Sequence, residues 1–233
     1  MTGQPPVAPI AGVVFDFHHT LVHAGDPRAW LHTGWVAAGR DSDPASVWGA
    51  QVTDAAVAYL DRLWEHAREI DPHSERDLDT ARHREVYDRL IERAPGIDPE
   101  LADALYSAMH DQWEPYADTI PVLEALRDLD TRRVLLSNVG YDLAPVLDRT
   151  GLTALFDGVV ASYAVGVVKP ARGIFQRALD VLDLDAAEVL MVGDAWQDDS
   201  AAAALGIRTL ILPRTDTPSH GLGIVLAMVA ATR

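Results

Sequence analysis

Two rhythms of apolar and polar positions divide the chain. Residues 10–17 open with a short, unbroken apolar run, Gly12-Val13-Val14-Phe15, that ends in Asp16. A run with no polar alternation is the pattern of a strand buried on both faces. Residues 23–29, with Gly25, Asp26 and Pro27, read as a turn or flap. From Arg28 to about Trp113 the spacing is helical: a short helix over 28–40, then a long one over 45–70 with Val52, Ala55, Ala56, Tyr59, Leu60, Leu63 and Trp64 three and four apart. Ser74-x-x-Asp77 is a candidate cap for a third helix reaching Ala94, and Asp98-Pro99 starts a fourth to Trp113. No strand pattern interrupts this block. After Pro115 the rhythm alternates. Helices are expected over 121–129, 142–150, 171–182 and 200–205, with strands over 133–137, 156–161, 188–192 and 209–212. Alternating strands and helices predict an α/β fold with a doubly wound, five-stranded parallel sheet. The division is then a core of 10–22 and 115–233 and an inserted four-helix segment of 23–114.

Composition adds constraints. The apolar content of 48% and charged content of 23% are ordinary for a globular chain. Gln4-Pro5-Pro6 reads as a loose leader. A formal charge of −16 disfavours nucleic acid and anionic membranes as partners, and an anionic substrate would need local positive charge. No cysteine is present, so disulfides, thiol chemistry and cysteine-based zinc sites are excluded. The opening residues show no signal-peptide pattern, and the apolar tail 222–231 is too short to span a membrane, so it is expected as a packing helix in a cytoplasmic protein. Of 19 basic side chains, Lys169 is the one lysine.

The candidate chemistry sits at strand ends. The first strand ends at Asp16, the second at Ser137-Asn138, and Lys169-Pro170 follows the third. The fourth ends at Gly193-Asp194, with Asp198 and Asp199 beyond. In a parallel sheet these ends share one edge, where open α/β folds bind ligands. Each residue alone has an ordinary reading, such as a helix-capping serine or a surface lysine. Caps do not account for four polar clusters at one edge. Several acids at one point repel and call for a cation, and hard oxygen ligands suit Mg²⁺. A free carboxylate beside a metal and an ammonium fits phosphoryl transfer.

These residues resemble the haloacid dehalogenase (HAD) superfamily. Its first motif, Asp-x-Asp-Gly-Thr-Leu, is similar to Asp16-Phe17-His18-His19-Thr20-Leu21. Its second is similar to Val134-Leu135-Leu136-Ser137-Asn138. The third corresponds to Gly166-Val167-Val168-Lys169-Pro170, and the fourth to Val192-Gly193-Asp194 through Asp198-Asp199. The resemblance covers about residues 10–22 and 115–213, and the helical block resembles a cap of the family's first cap class. It implies a Rossmann-like core and a hydrolase acting on a small phosphorylated metabolite. Asp16 would attack phosphorus to give an aspartyl-phosphate. Mg²⁺ would be held by Asp16, the backbone carbonyl of His18 and Asp194. Asp198 or Asp199 would complete the metal site, and counting back from Gly206 favours Asp198. Thr20, Ser137, Asn138 and Lys169 would contact the phosphate.

The chain departs from the motif at two positions. His18 stands where the family has its acid–base aspartate. An imidazole with a pKa of ~6.5 is a competent general acid and base near neutrality. His19 replaces a glycine, so either the loop differs or His19 lines the pocket. Two other readings stay open: a carbon–halogen hydrolase of the same superfamily, and a non-catalytic binding or regulatory protein on this fold. His23, Arg28, Trp30, His32, Trp35 and Arg40 could meet substrate, or they could pack a helix.

Overall fold

The computed structural model describes residues 7–233, so the expected leader at Gln4-Pro5-Pro6 lies outside the described residues. The chain forms two compact units. One comprises the described residues up to His23 with Pro115–Asn138 and Asp142–Arg233. The other comprises Ala24–Glu114 with Val139–Tyr141.

The first unit is built on five parallel strands: β1 (Gly12–Phe15), β2 (Arg132–Ser137), β3 (Gly158–Ala161), β4 (Val189–Gly193) and β5 (Arg208–Ile211). Their order across the sheet is β3-β2-β1-β4-β5. The first strand is therefore central, and Phe15 is level with Leu135 on one side and Val192 on the other. That register brings the carboxyl ends of β1, β2 and β4 to one edge, at the point where the strand order reverses. Alternate residues face opposite ways. Val14, Val134, Leu136 and Met191 pack with Ile174, Phe175 and Ala178 of the helix Arg172–Leu182. Val13, Phe15, Leu135, Leu190 and Val192 are also fully buried, so β1 and its neighbours are covered on both faces as the unbroken apolar runs predict.

The observed strands differ from the expected ones by one or two residues at their ends, where hydrogen-bonding and pattern criteria normally part. The tail forms the helix Gly223–Ala231, which buries Val225 and Val229 and packs beside the helix Thr119–Asp128. Asp118 pins its entry, accepting bonds from the backbone N–H groups of His220, Gly221 and Leu222 at 2.8–2.9 Å. Burial acts to raise the Asp118 carboxyl, but these donors outweigh it and hold it below its usual range.

The second unit is helical, as its 3-and-4 spacing predicts, but it is cut more finely. Six α-helices are present among its described residues rather than four. The expected helix over 45–70 is three: Pro44–Trp48, Ala50–Asp61 and Leu63–Ile70. Gly49, at φ +78°, takes the left-handed backbone that ends the first. Apolar periodicity runs through the second break, at Arg62, because Leu60 and Leu63 are buried on either side of it. Ser74 does not cap the next helix, since its own φ is +54° and it begins a single 3₁₀ turn. Asp79 is the cap, accepting a bond from the Arg82 N–H at the start of Thr80–Ile91.

The core of this unit is Trp30, Leu31, Trp35, Leu60, Leu63, Tyr87, Leu90, Leu101 and Leu105. Trp30 is held further by an indole N–H donated to the Leu105 carbonyl, and Arg40 stacks on Trp35 while pairing with Asp98. Trp30 and Trp35 are thus packing residues, and Arg28 pairs with Asp54. The segment Val139–Tyr141 joins this unit rather than the sheet it follows. Tyr141 sets its ring 3.9 Å from His110 and 5.0 Å from His83, and Gly140 accepts a bond from Thr80.

Candidate active site

The sheet edge dictates where each polar group begins. Asp16 leaves β1 with its N–H still bonded to the Val192 carbonyl of β4, so its side chain starts from a fixed backbone. The turn after it is tight: Thr20 and Leu21 both return N–H bonds to the Phe17 carbonyl, and His19 bonds Val22. Closing that turn puts His19 at φ +64°, the region glycine occupies without strain. The rings of His18 and His19 are in contact, tilted by 34° with centroids 4.0 Å apart, and both residues are half-buried. The turn also returns Thr20 to the acid, and its hydroxyl donates to Asp16 Oδ2 at 3.0 Å.

Lys169 is the centre of charge. Its ammonium lies 2.6 Å from Asp16 Oδ1 and 2.7 Å from Asp199 Oδ1. Lys169 is 3% exposed, Asp16 7% and Asp199 0%, so this three-residue bridge is shielded from water. Burial alone would lower the ammonium, but the two carboxylates outweigh it and hold Lys169 above the usual lysine range. Burial raises the Asp16 carboxyl, against the pull of Lys169 and with help from the charge on Asp194. Asp199 is raised the same way, by burial and then by Asp16.

The resemblance puts Asn138 on phosphate. Its amide instead brackets the lysine backbone, with Nδ2 donating to the Lys169 carbonyl at 3.0 Å and Oδ1 accepting the Lys169 N–H at 2.7 Å. It ties the end of β2 to the segment that carries Lys169, eight residues past the end of β3. Ser137 is buried at the end of β2, in register with Ala161.

The fourth strand supplies two acids. Asp194 follows β4, and its side chain is only 4% exposed. The counting argument favoured Asp198 as its companion, but the structure brings Asp199 into the cluster. A short helix, Trp196–Asp199, begins just after Asp194, and its turn points residue 199 back under Gly193. There Asp199 Oδ2 accepts the Ala195 N–H at 3.1 Å while Oδ1 meets the lysine. Asp198 is half-buried one position away. Carboxylate oxygens of Asp16, Asp194 and Asp199 all lie within 4.8 Å of one another, an acidic cluster of the kind that holds a cation.

The sequence reading missed Arg214. Its Nε donates to Asp194 Oδ2 at 2.6 Å. The signal was present, because Arg214 lies three residues past the end of β5 and obeys the same strand-end rule as the other site residues.

The site is therefore an aspartate at the central strand end, a buried lysine and further acids on one edge of a parallel sheet. The sequence profile of the haloacid dehalogenase-like hydrolases matches residues 10–206, and the chain belongs to that family. Among curated relatives, a haloacid dehalogenase-like hydrolase domain-containing protein 3 of Danio rerio is 31% identical over 54% of this chain and 55% of its own. A ribulose-1,5-bisphosphate 5-phosphatase of Halopiger xanaduensis is 34% identical over 50% of each. A GMP/IMP nucleotidase of Escherichia coli is 35% identical over 39% of this chain and 41% of its own. The matched stretch thus spans about half the length of these relatives. Among solved structures, a 2-haloacid dehalogenase from Pseudomonas syringae superposes with a TM-score of 0.61 at 22% identity, covering 96% of this chain and 100% of that one. A HAD phosphatase from Thermococcus onnurineus gives 0.60 at 19%, covering 93% and 97%. These likenesses establish the α/β fold. Among the described residues no helix is long and apolar enough to cross a membrane.

Proposed function

We propose that this chain is a Mg²⁺-dependent phosphatase of a small phosphorylated metabolite, with Asp16 as nucleophile and His18 as general acid and base. The observation that carries the reading is the Lys169 bridge between Asp16 and Asp199, with the Asp194 carboxylate inside the same cluster. The donor set is three carboxylates, which fits a hard divalent cation. Asp16, Asp194 and Asp199, with the His18 carbonyl, would hold it. Bound there, Mg²⁺ would offset the charge of the phosphoryl oxygens. The names of several relatives, among them the ribulose-1,5-bisphosphate 5-phosphatase and the nucleotidase, agree with this class of substrate.

The chemistry has two halves. The Asp16 carboxylate attacks phosphorus, the bond from phosphorus to the ester oxygen breaks, and His18 gives that oxygen a proton. An aspartyl-phosphate remains. Neutral His18 then takes a proton from water as the water attacks phosphorus, which breaks the acyl-phosphate P–O bond, releases inorganic phosphate and restores Asp16. Lys169 and the Thr20 hydroxyl hold the two oxygens of Asp16 so that the carboxylate stays oriented. Ser137 would hold a phosphate oxygen.

The test is release of phosphate from p-nitrophenyl phosphate with Mg²⁺ and with EDTA, run beside halide release from 2-chloropropionate. Phosphate release that disappears in EDTA is expected. Halide release indifferent to EDTA would instead support the carbon–halogen hydrolase, and neither phosphate nor halide release across a broad panel would support a binding protein. His18→Ala should lower phosphate release by roughly a hundredfold or more, the usual worth of a positioned acid–base group. A His18→Ala enzyme with the parent rate removes His18 from the mechanism.

A further inference from the structure

The charges at the carboxylate cluster are unevenly covered. Lys169 serves Asp16 and Asp199, at 2.6 and 2.7 Å. The cation on Asp194 is a different one, Arg214, at 2.6 Å. The two ends of that pair are unlike: the Asp194 side chain is 4% exposed, whereas the Arg214 side chain is 54% exposed. Arg214 reaches in from a segment beyond β5, where Pro213 precedes it, and it holds the acid through Nε alone. A long side chain half in water leaves such a contact readily. A buried carboxylate facing two others cannot readily do without a cation.

We propose that Arg214 is the resident counter-ion of Asp194, and that it competes with the divalent metal for this carboxylate. The inference rests on the metal-dependent reading of the site. With a divalent ion bound, Lys169 already balances the remaining charge of the three carboxylates, and Arg214 becomes a surplus positive charge beside the ion. With no metal, Arg214 relieves the repulsion between Asp194 and Asp16. Arg214 therefore steadies the empty site and weakens the loaded one. It sets the metal concentration at which the enzyme switches on.

Isothermal titration calorimetry with MgCl₂ at low ionic strength, on the full chain and on Arg214→Ala and Arg214→Lys, tests this without reference to turnover. Arg214→Ala should bind Mg²⁺ roughly tenfold more tightly, as expected for removing one positive charge beside a divalent ion in a wet setting. Arg214→Lys should stay within about twofold of the parent, because the charge is kept. In EDTA the thermal midpoint of Arg214→Ala should fall by a few degrees, and Mg²⁺ should raise it by more than it raises the parent. The tenfold gap should narrow as salt rises. A parent that binds Mg²⁺ and an Arg214→Ala variant that binds it equally or less tightly overturn the inference and leave the phosphatase reading standing. Uptake of Mg²⁺ by the variant alone supports the inference. No uptake by either overturns both.

Discussion

Lys169 Nζ and Asp199 Oδ1 stand 2.7 Å apart, 30 residues apart in sequence, in a site where neither side chain is more than 3% exposed. The same ammonium reaches Asp16, so a single cation serves two buried acids. Lys169→Met keeps the aliphatic bulk and removes the charge. Breaking a buried pair in this way costs about 3–5 kcal/mol, since the partners are left uncompensated. Urea unfolding in EDTA measures it. A loss under about 1 kcal/mol would mean the acids find relief elsewhere.

Asp199 and Asp198 are neighbours with different surroundings, and their asparagine variants separate them. Asp199→Asn should remove the response of phosphate release to Mg²⁺ and cut the rate by roughly a hundredfold or more. Asp198→Asn should stay within about threefold of the parent, as a side chain outside the cluster. Rates measured across a Mg²⁺ series decide it, and the reverse ranking would restore the assignment favoured by counting from Gly206.

Gly193 carries a prediction through its missing side chain. A Cβ there would sit 2.1 Å from Asp199 Oδ2 and 2.4 Å from its carboxyl carbon. No alanine methyl fits without moving the acid. Gly193→Ala should therefore lose stability by about 1–3 kcal/mol from overpacking, and its turnover should fall towards that of Asp199→Asn. Parental turnover in Gly193→Ala would show that Asp199 can shift without consequence.

His83 makes the helical unit sensitive to acid. Burial, then Arg76 and His110, hold its imidazole down at about 3. Its Nδ1 lies 2.9 Å from the Tyr106 hydroxyl, and Trp64 and Tyr141 flank the ring. A histidine depressed on folding adds stability above its unfolded pKa of ~6.5, and that stability drains away as pH falls from there towards the folded value. The thermal midpoint should fall between pH 6.5 and 4. His83→Gln keeps a polar partner for Tyr106 and cannot titrate, so its midpoint should fall less steeply over the same range. Parallel slopes for the two proteins would assign the acid sensitivity to carboxylates.

The legible part of this chain is what period and strand-end position encode. The run Val13–Phe15 and its counterparts at 134–136 and 189–192 read as buried parallel strands because they are short, rich in valine and set between helical segments; the longer apolar tail at 222–231 is a helix. Once the strands are placed, parallel topology brings Asp16, Ser137 and Asp194 to one edge, and Lys169 joins them from the segment after β3. What escaped depends on geometry below the level of a period. Asp198 and Asp199 differ by one step of a four-residue helix, and only the turn of that helix decides which of them faces Gly193. Asn138 has the chemistry of a phosphate contact, yet its amide matches the peptide of Lys169 on both sides. Arg62 separates two helices whose apolar spacing runs on from Leu60 to Leu63, so the pattern carries no trace of that break.

The buried ammonium has a consequence for how this molecule can be watched. Lys169 is the chain's one lysine. Amine-reactive reagents therefore find a single side-chain target, and in the folded state it is hidden and held as a cation by two acids, which makes it a poor nucleophile. Any acylation of that side chain reports an opening of the active site itself. Its rate is a direct clock for that motion, with no engineered label and no background from a lysine-covered surface.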